Sequence, residues 1–273
     1  MLPVRRFVQF PHPGQEGGPE RTAWPRGDTP HVRKVMVCSG TYRTAFDSRE
    51  LDGEIVFWGE WEAASRVDRE GGLNAHRPLA PTPSQRPRGV PQNTDPFVFG
   101  DQFLYTFCRQ TPRAKKVHSL APGSVIVFGS VLRHRFVCDT VLVVAEALSH
   151  TRSNWRAVVE EKVPKEFALT TLEPMYAWRP SNDRRFTLYL GATPERPIEG
   201  MFSFVPCRAA GKGRFERPSV DAVPGLPAAN RQAISFNDWI TPTEVADRWR
   251  QLAETVLAQG LALGTRIELP KPA

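Results

Sequence analysis

Proline is the residue that most constrains how this chain can fold. The sequence contains 26 prolines among 273 residues, about twice the average usage of roughly 5%. Each proline fixes its φ angle and lacks a backbone N–H donor, so it interrupts helices and the ladders of sheets. Prolines and glycines are dense before residue 33 and between residues 65 and 94. We therefore predict a loosely structured lead-in over residues 1–32 and a long Pro-rich loop over residues 65–94.

Strand signals dominate the rest of the chain. Residues 124–130 follow a Pro-Gly turn, and residues 136–144 are a nearly continuous apolar run, which is typical of a strand covered on both faces. Further strands are predicted at residues 34–39, 53–62, 185–190 and 201–205. Strands in series with few helices between them indicate an α+β fold, with one mixed and largely antiparallel sheet curling toward a barrel. We assign residues 33–273 to one domain of this class.

The clearest local signal lies near the C-terminus. Thr241-Pro242-Thr243-Glu244 is a capping box with proline at the first helical position. Apolar side chains then recur at helical spacing, and Gly260 is a plausible stop. We predict a helix over residues 241–260 that packs on the sheet and buries Trp249 and Leu252.

Charge and cysteine content restrict the class of partner. The net charge is +7, which favours anionic ligands such as nucleic acid or nucleotides, although many basic proteins bind neither. The four cysteines form no paired motif and residues 1–30 lack an apolar signal core, so we expect free thiols and a cytoplasmic location. No run approaches the ~18 apolar residues of a membrane span, so no membrane partner is predicted. The oligomeric state stays open.

Residues 57–62 (Phe-Trp-Gly-Glu-Trp-Glu) are the most unusual segment. An indole offers a stacking face, and a carboxylate accepts hydrogen bonds from an exocyclic amine, so Trp58, Glu60 and Trp61 predict a pocket for a nucleobase. In a regular strand Trp58 and Trp61 point to opposite faces, and a bulge at Gly59 would bring them together. The alternative is a strand end with core tryptophans and with glutamates paired to arginines.

Three aspartates extend the set of candidate residues. Asp95 and Asp101 lie at turn signals, and Asp139 lies within the apolar run, where an unpaired charge would be expensive. With Glu60 they could form an oxygen-ligand metal site, or they could serve as turn caps and structural ion pairs. Basic residues are candidates for pairing with Asp139 or for contacting phosphate: Arg109, Arg133, Arg135, Lys212 and Arg214. No cofactor-binding or metal-binding motif is present, so neither is predicted.

Residues 120–128 (Leu-Ala-Pro-Gly-Ser-Val-Ile-Val-Phe) and the apolar run at 136–144 resemble one strand pair of PUA-like barrels, the group with EVE and ASCH domains. The resemblance covers about 25 residues, and Ser124 stands where that group usually has an acidic residue. It implies a barrel with an aromatic-lined pocket for a modified or flipped base. Residues 57–62 and 94–101 are also similar to uncharacterised bacterial proteins, which implies no function.

Three functions remain open from the sequence. The first is a nucleic-acid or nucleotide binding protein with a base pocket at Trp58, Glu60 and Trp61. The second is a metal-assisted hydrolase or nuclease that uses Glu60, Asp95, Asp101 and Asp139. The third is an interaction protein without a small-molecule site. The sequence therefore does not decide whether the protein is an enzyme. Carboxylates that converge in space would favour the metal-assisted hydrolase, and aromatic rings that form a slot would favour the binding protein.

Overall fold

The computed structural model describes residues 2–12, 33–46, 48–70, 72–81, 93–178, 183–211, 213, 215–226 and 233–272. Within these ranges the strands are β1 (Phe7–Pro11), β2 (Lys34–Arg43), β3 (Leu51–Gly59), β4 (Ser65–Glu70), β5 (Leu73–Pro78), β6 (Leu104–Tyr105), β7 (Val125–Leu132), β8 (Arg135–His150), β9 (Phe186–Gly191), β10 (Val205–Ala209), β11 (Ser235–Asn237) and β12 (Ala262–Ile267). The α-helices are α1 (Trp155–Val159), α2 (Lys165–Phe167), α3 (Glu173–Trp178) and α4 (Pro242–Ala258). A 3₁₀ turn at Glu160–Lys162 and a π-helical stretch at Ala168–Leu172 join the first three helices. These elements confirm the α+β class.

The first sheet has the strand order β11-β1-β7-β8-β9-β6. Its centre is the predicted strand pair: the apolar sequence of β7 pairs antiparallel with the long strand β8. Strand β1 runs parallel to β7 and antiparallel to β11, so the sheet is mixed. Because β8 is covered on both sides through most of its length, its run of buried residues agrees with the sequence prediction.

The second sheet closes on itself. Strand β2 pairs with β3, β3 with β10, β10 with β12, and β12 with β2, all antiparallel. This four-stranded ring is a barrel of the kind that was predicted, although the strands form two sheets and not the single sheet expected. Strand β5 adds parallel to β2 and carries β4 as an edge strand. Gly40 lies where β2 crosses β12, and a Cβ there would sit 2.5 Å from the carbonyl oxygen of Arg266, so the closure requires glycine.

Helix α4 confirms the predicted C-terminal helix. The Thr241 side chain accepts from the Glu244 backbone N–H, and the Glu244 carboxylate accepts from the Thr241 N–H, so both halves of the capping box form. Trp249 and Leu252 are buried, and the indole Nε1 of Trp249 donates to the Phe202 carbonyl at 3.0 Å. The helix therefore packs its apolar stripe against the sheet, as its spacing predicts.

Several predicted boundaries are wrong. Residues 7–11 of the predicted lead-in form β1, whose five residues are all buried, because apolar Phe7, Val8 and Phe10 pack into the core. Residues 65–70 and 73–78 of the predicted loop form strands β4 and β5, which pair antiparallel. They lack apolar alternation because this hairpin lies at a sheet edge and is held by ion pairs such as Arg77–Asp68. Residues 13–32 and 82–92 lie outside the described ranges.

The strand predicted at residues 201–205 is displaced. The structure places β10 at Val205–Ala209, so Pro206 lies at its second residue rather than ending it. A proline near the start of a strand removes only one N–H donor from the hydrogen-bond ladder. The barrel still gives β10 a neighbouring strand on each side, β12 and β3. All four cysteines are free, as predicted. No helix among the described residues is long and apolar enough to cross a membrane.

Candidate functional site

Five ionisable side chains from five segments of the chain meet in the interior. They come from the residue after β1, the residue before β2, the residue after β3, the middle of β8, and the segment that follows β10: His12, Arg33, Glu60, Asp139 and Arg217. We call this set the buried charge cluster. It lies where the two sheets face each other, and all five side chains are 7% exposed or less.

Arg33 is the centre of the buried charge cluster. Its Nη1 lies 3.0 Å from Oε1 of Glu60, and its Nε lies 2.9 Å from Oδ2 of Asp139. The same Glu60 oxygen is 2.7 Å from Nδ1 of His12. The other Asp139 oxygen is 3.3 Å from Nη1 of Arg217. One guanidinium therefore bridges two buried carboxylates, and each carboxylate has a second basic partner.

A β-bulge places Asp139 in this cluster. Phe128 pairs with Thr140 but Gly129 pairs with Cys138, so Asp139 is an extra residue without a partner on β7. A Cβ at Gly129 would collide with the backbone oxygen of Val137, so the close approach of the strands requires glycine. Bulges re-aim a side chain and occur often beside functional sites. Here the bulge directs the Asp139 carboxylate out of the apolar part of β8 and toward Arg33.

Burial controls the protonation chemistry of the cluster. It raises the pKa of Asp139 to about 7, with Arg33 opposing the rise and Glu60 adding to it. It also lowers the pKa of Arg217 to about 9. The Asp139 carboxyl can therefore change between hydrogen-bond donor and acceptor near neutral pH.

Trp58 connects the cluster to the surface. The Arg217 guanidinium carbon lies 4.6 Å from the centroid of the Trp58 ring, a cation–π contact. Trp58 is partly exposed, yet its indole N–H is buried and makes no hydrogen bond within the part of the chain that the structure describes. The buried ammonium of Lys34 likewise has no hydrogen bond there. Buried donors without partners are rare in proteins, and they mark a place where an acceptor would be stabilised.

Trp61 does not share this site. It is fully buried against Phe97 and Phe99, and its Nε1 donates to the Ala64 carbonyl at 2.7 Å. Strand β3 ends at Gly59 instead of bulging there, so the two indoles enter different apolar clusters. The predicted slot between Trp58 and Trp61 is therefore wrong. Trp61 and the ion-paired Glu60 follow the alternative, in which the tryptophan is core and the glutamate pairs with an arginine.

The predicted carboxylates converge only in part. The Asp95 carboxylate accepts the backbone N–H groups of Thr106, Phe107 and Cys108 at 2.6–2.8 Å, which makes it a loop anchor. Burial raises its pKa to about 7 against those donors, and the Glu60 charge adds to the rise. Asp101 is exposed elsewhere and pairs with Arg266 at 2.9 Å. Among the residues that the structure describes, no three His, Cys, Asp or Glu side chains are placed to hold a metal ion.

The predicted arginines lie apart from the buried charge cluster. Arg133 and Arg135 are exposed at the β7–β8 turn, where Arg133 and His134 have φ angles of 49° and 64°. Arg109 is exposed on the loop that follows β6. Lys212 and Arg214 lie outside the described residues. The partners of Asp139 are therefore Arg33 and Arg217 rather than the arginines nearest in sequence.

Sequence reasoning missed three members of the buried charge cluster, and it also passed over Lys34, which follows Arg33 in the chain. His12, Arg33 and Arg217 come from segments that contact only in the folded chain, so no local spacing relates them to Glu60 or Asp139. Lys34 offered a signal, because Arg33 and Lys34 are two consecutive cations at the start of an apolar strand. Charged side chains in such a position either extend to solvent or form ion pairs in the protein interior.

Comparison with known proteins gives no relative from which a role could be transferred. No family model matches the chain, no curated protein is similar to it, and no solved structure matches its fold. The functional argument therefore depends on the site itself.

Proposed function

We propose that this protein binds a nucleotide or nucleic acid and holds the base against Trp58, beside Arg217 and Asp139. The observation that supports the proposal is the stack of the Arg217 guanidinium on a partly exposed indole, held from behind by the Asp139 carboxylate. A planar ligand needs such a flat, polarisable surface, and base–aromatic stacking contributes about 1–3 kcal/mol per base.

Polar groups around the indole match the edge of a base. Among the residues that the structure describes, the Trp58 N–H donates to no acceptor, and Asp139 offers an acceptor or, when protonated, a donor. A base presents both kinds of group at its edge. We assign the acceptor role to Asp139 rather than to Glu60, because Oε1 of Glu60 contacts both His12 and Arg33, whereas each Asp139 oxygen contacts one arginine.

Charge supports the same class of ligand. The chain carries a net charge of +7, which attracts polyanions over long range. A metal-assisted hydrolase receives no comparable support, because Asp101 lies away from the other carboxylates and Asp95 anchors a loop.

The test is a titration of nucleoside monophosphates and nucleosides at two salt concentrations with wild type and Trp58→Ala. Loss of the stacking face should weaken base binding about tenfold or more, and it should leave the salt dependence unchanged because no charge is removed. Asp139→Asn should change which base is preferred more than it changes the affinity for the best base.

Trp155→Ala is the matched control. Trp155 is a buried indole stacked on Tyr176, away from the cluster, so its loss destabilises the protein without touching the proposed site. The Trp155 variant should keep wild-type affinity below its melting temperature. The proposal would be contradicted if the wild type bound no nucleotide, or if the Trp58 and Trp155 variants bound it with equal affinity.

A further inference from the structure

Residues 109–118 form a strongly basic loop on the first sheet. The segment Arg-Gln-Thr-Pro-Arg-Ala-Lys-Lys-Val-His contains four lysines or arginines and no acidic residue. Arg109, Arg113, Lys115 and Lys116 are all exposed. Such a run is often a solvated surface, so its meaning depends on what lies beside it.

The basic loop is held in place by its neutral residues. The Gln110 amide makes two hydrogen bonds to the Thr187 backbone, at 2.7 and 2.8 Å. The Tyr189 hydroxyl donates to the Val117 carbonyl at 2.6 Å. The cations therefore project from a fixed backbone, which lowers the entropy lost when a ligand binds.

One wholly exposed tryptophan lies at the edge of this loop. The Lys116 ammonium forms an ion pair with Asp238 and lies 5.6 Å from the ring centroid of Phe236. The next residue after Asp238 is Trp239, whose exposure is 100%. An indole is thus presented to solvent directly beside a row of positive charges.

The exposure of Trp239 does not come from a loose chain. On one side Asp238 is also paired with Arg6 at 2.7 Å, and on the other Ile240 packs on the apolar core just before the Thr241 cap. The backbone is therefore fixed by both neighbours while the indole points outward. A fixed, open aromatic ring among cations is the arrangement by which proteins hold unpaired bases.

We propose that the loop 109–118 and Trp239 together form a binding surface for single-stranded nucleic acid, with phosphates on the cations and a base stacked on the indole. The proposal rests on the proposed function only for the class of ligand, because it uses none of the residues around Trp58. A duplex fits less well, since its bases are already stacked on one another. An anionic lipid surface fits less well too, since the two neighbours of Trp239 are an ion-paired aspartate and a core isoleucine.

The experiment titrates a short fluorescent oligothymidylate, the same sequence as a duplex, and phosphatidylserine vesicles into the full chain at several salt concentrations. Trp239→Ala should lower single-strand affinity about fivefold or more, and Trp239→Phe should retain most of it. Arg113→Ala with Lys115→Ala should reduce the slope of log affinity against log salt by about 1.4, since each phosphate contact on a single strand contributes about 0.7.

A charge-matched control removes two arginines elsewhere. Arg66 and Arg69 are exposed on the edge strand β4 of the second sheet. The double variant Arg66→Ala with Arg69→Ala changes the net charge by the same amount as Arg113→Ala with Lys115→Ala. This pair should leave the salt slope close to the wild-type value. Equal slopes for the two double variants would overturn the surface, because net charge alone would then explain the binding.

Further outcomes separate this surface from the Trp58 site. Tighter binding to the duplex or to the vesicles than to the single strand would overturn the surface. If monophosphates bind in a Trp58-dependent way but Trp239→Ala binds the oligonucleotide as wild type does, only the surface is wrong. If monophosphates do not bind but Trp239→Ala weakens oligonucleotide binding, the Trp58 site is wrong and the surface is supported.

Discussion

The buried charge cluster and the loop 109–118 use the same residue types in opposite surroundings. Arg33 is 1% exposed and lies within 3.0 Å of two carboxylates, whereas Arg113 and Lys115 are exposed to water and form no ion pair with any other described residue. Inside the protein, charge fixes the relative positions of strands and shifts pKa values. On the surface it contributes little to stability and is available to a partner, so only the surface charges should respond to salt.

The largest difference should appear when Arg33 is removed. Arg33→Met leaves Glu60 and Asp139 without their shared cation in a buried site, which should cost about 3–5 kcal/mol in the free energy of unfolding. The measurement is urea unfolding beside Arg69→Met, an exposed change on β4 that should stay within about 0.5 kcal/mol. Equal unfolding midpoints for the two variants would show that the cluster does not couple the strands.

The two tryptophans near helix α4 make the same comparison for apolar surface. Trp249→Ala removes a buried ring that contacts Phe202 and Phe46, and it should cost about 3–5 kcal/mol. Trp239→Ala removes a ring that is 100% exposed and should change stability by less than about 0.5 kcal/mol. Thermal unfolding of both variants checks this. An unchanged melting temperature in the Trp249 variant would refute the packing of α4.

The effect most specific to the cluster concerns pH. The pKa of Asp139 is raised to about 7 by burial, while an unfolded aspartate titrates near 3.9. Between about pH 4 and 7 the folded state thus holds a proton that the unfolded state releases, so this contribution is full below pH 4 and is lost as pH rises through 7.

The corresponding variant is Asp139→Asn, which should flatten the decline of unfolding free energy with pH by at most about 1.4 kcal/mol per pH unit. Part of the decline should remain, because Asp95 is shifted in the same direction to about 7. Urea unfolding from pH 4 to 8 gives the profile. Parallel profiles for wild type and variant would contradict the raised pKa of Asp139.

Local sequence signals predicted the elements that local interactions stabilise. The capping box of α4 lies within four residues, and the apolar runs of β7 and β8 pair across a short turn. The edge hairpin β4–β5 was missed because most of its residues are polar and are held by side-chain ion pairs. Strand β1 was missed because its five residues lie directly before a region dense in proline and were assigned with that region to the lead-in.

The candidate site was harder to predict, since its members meet through tertiary structure. Asp139 was expected to need a buried partner, and it has two, but the partners come from distant segments. The bulge that changes side-chain direction lies at Asp139 and not at Gly59, because Gly129 allows β8 to approach β7 closely. The alternation of side chains along one strand cannot reveal such a bulge, because the bulge is caused by a contact between two strands.

Strand β1 also ties the order of synthesis to the completion of the fold. Its parallel partner β7 lies in the middle of the sequence and its other partner, β11, lies near the end. Strand β1 must therefore wait with both hydrogen-bonding edges open until β7 is made, and with one edge open until β11 follows. Pairings of such long sequence separation slow folding and leave edges open to wrong partners. The first sheet is therefore complete only after β11 is made, and the barrel of the second sheet waits longer still, for β12.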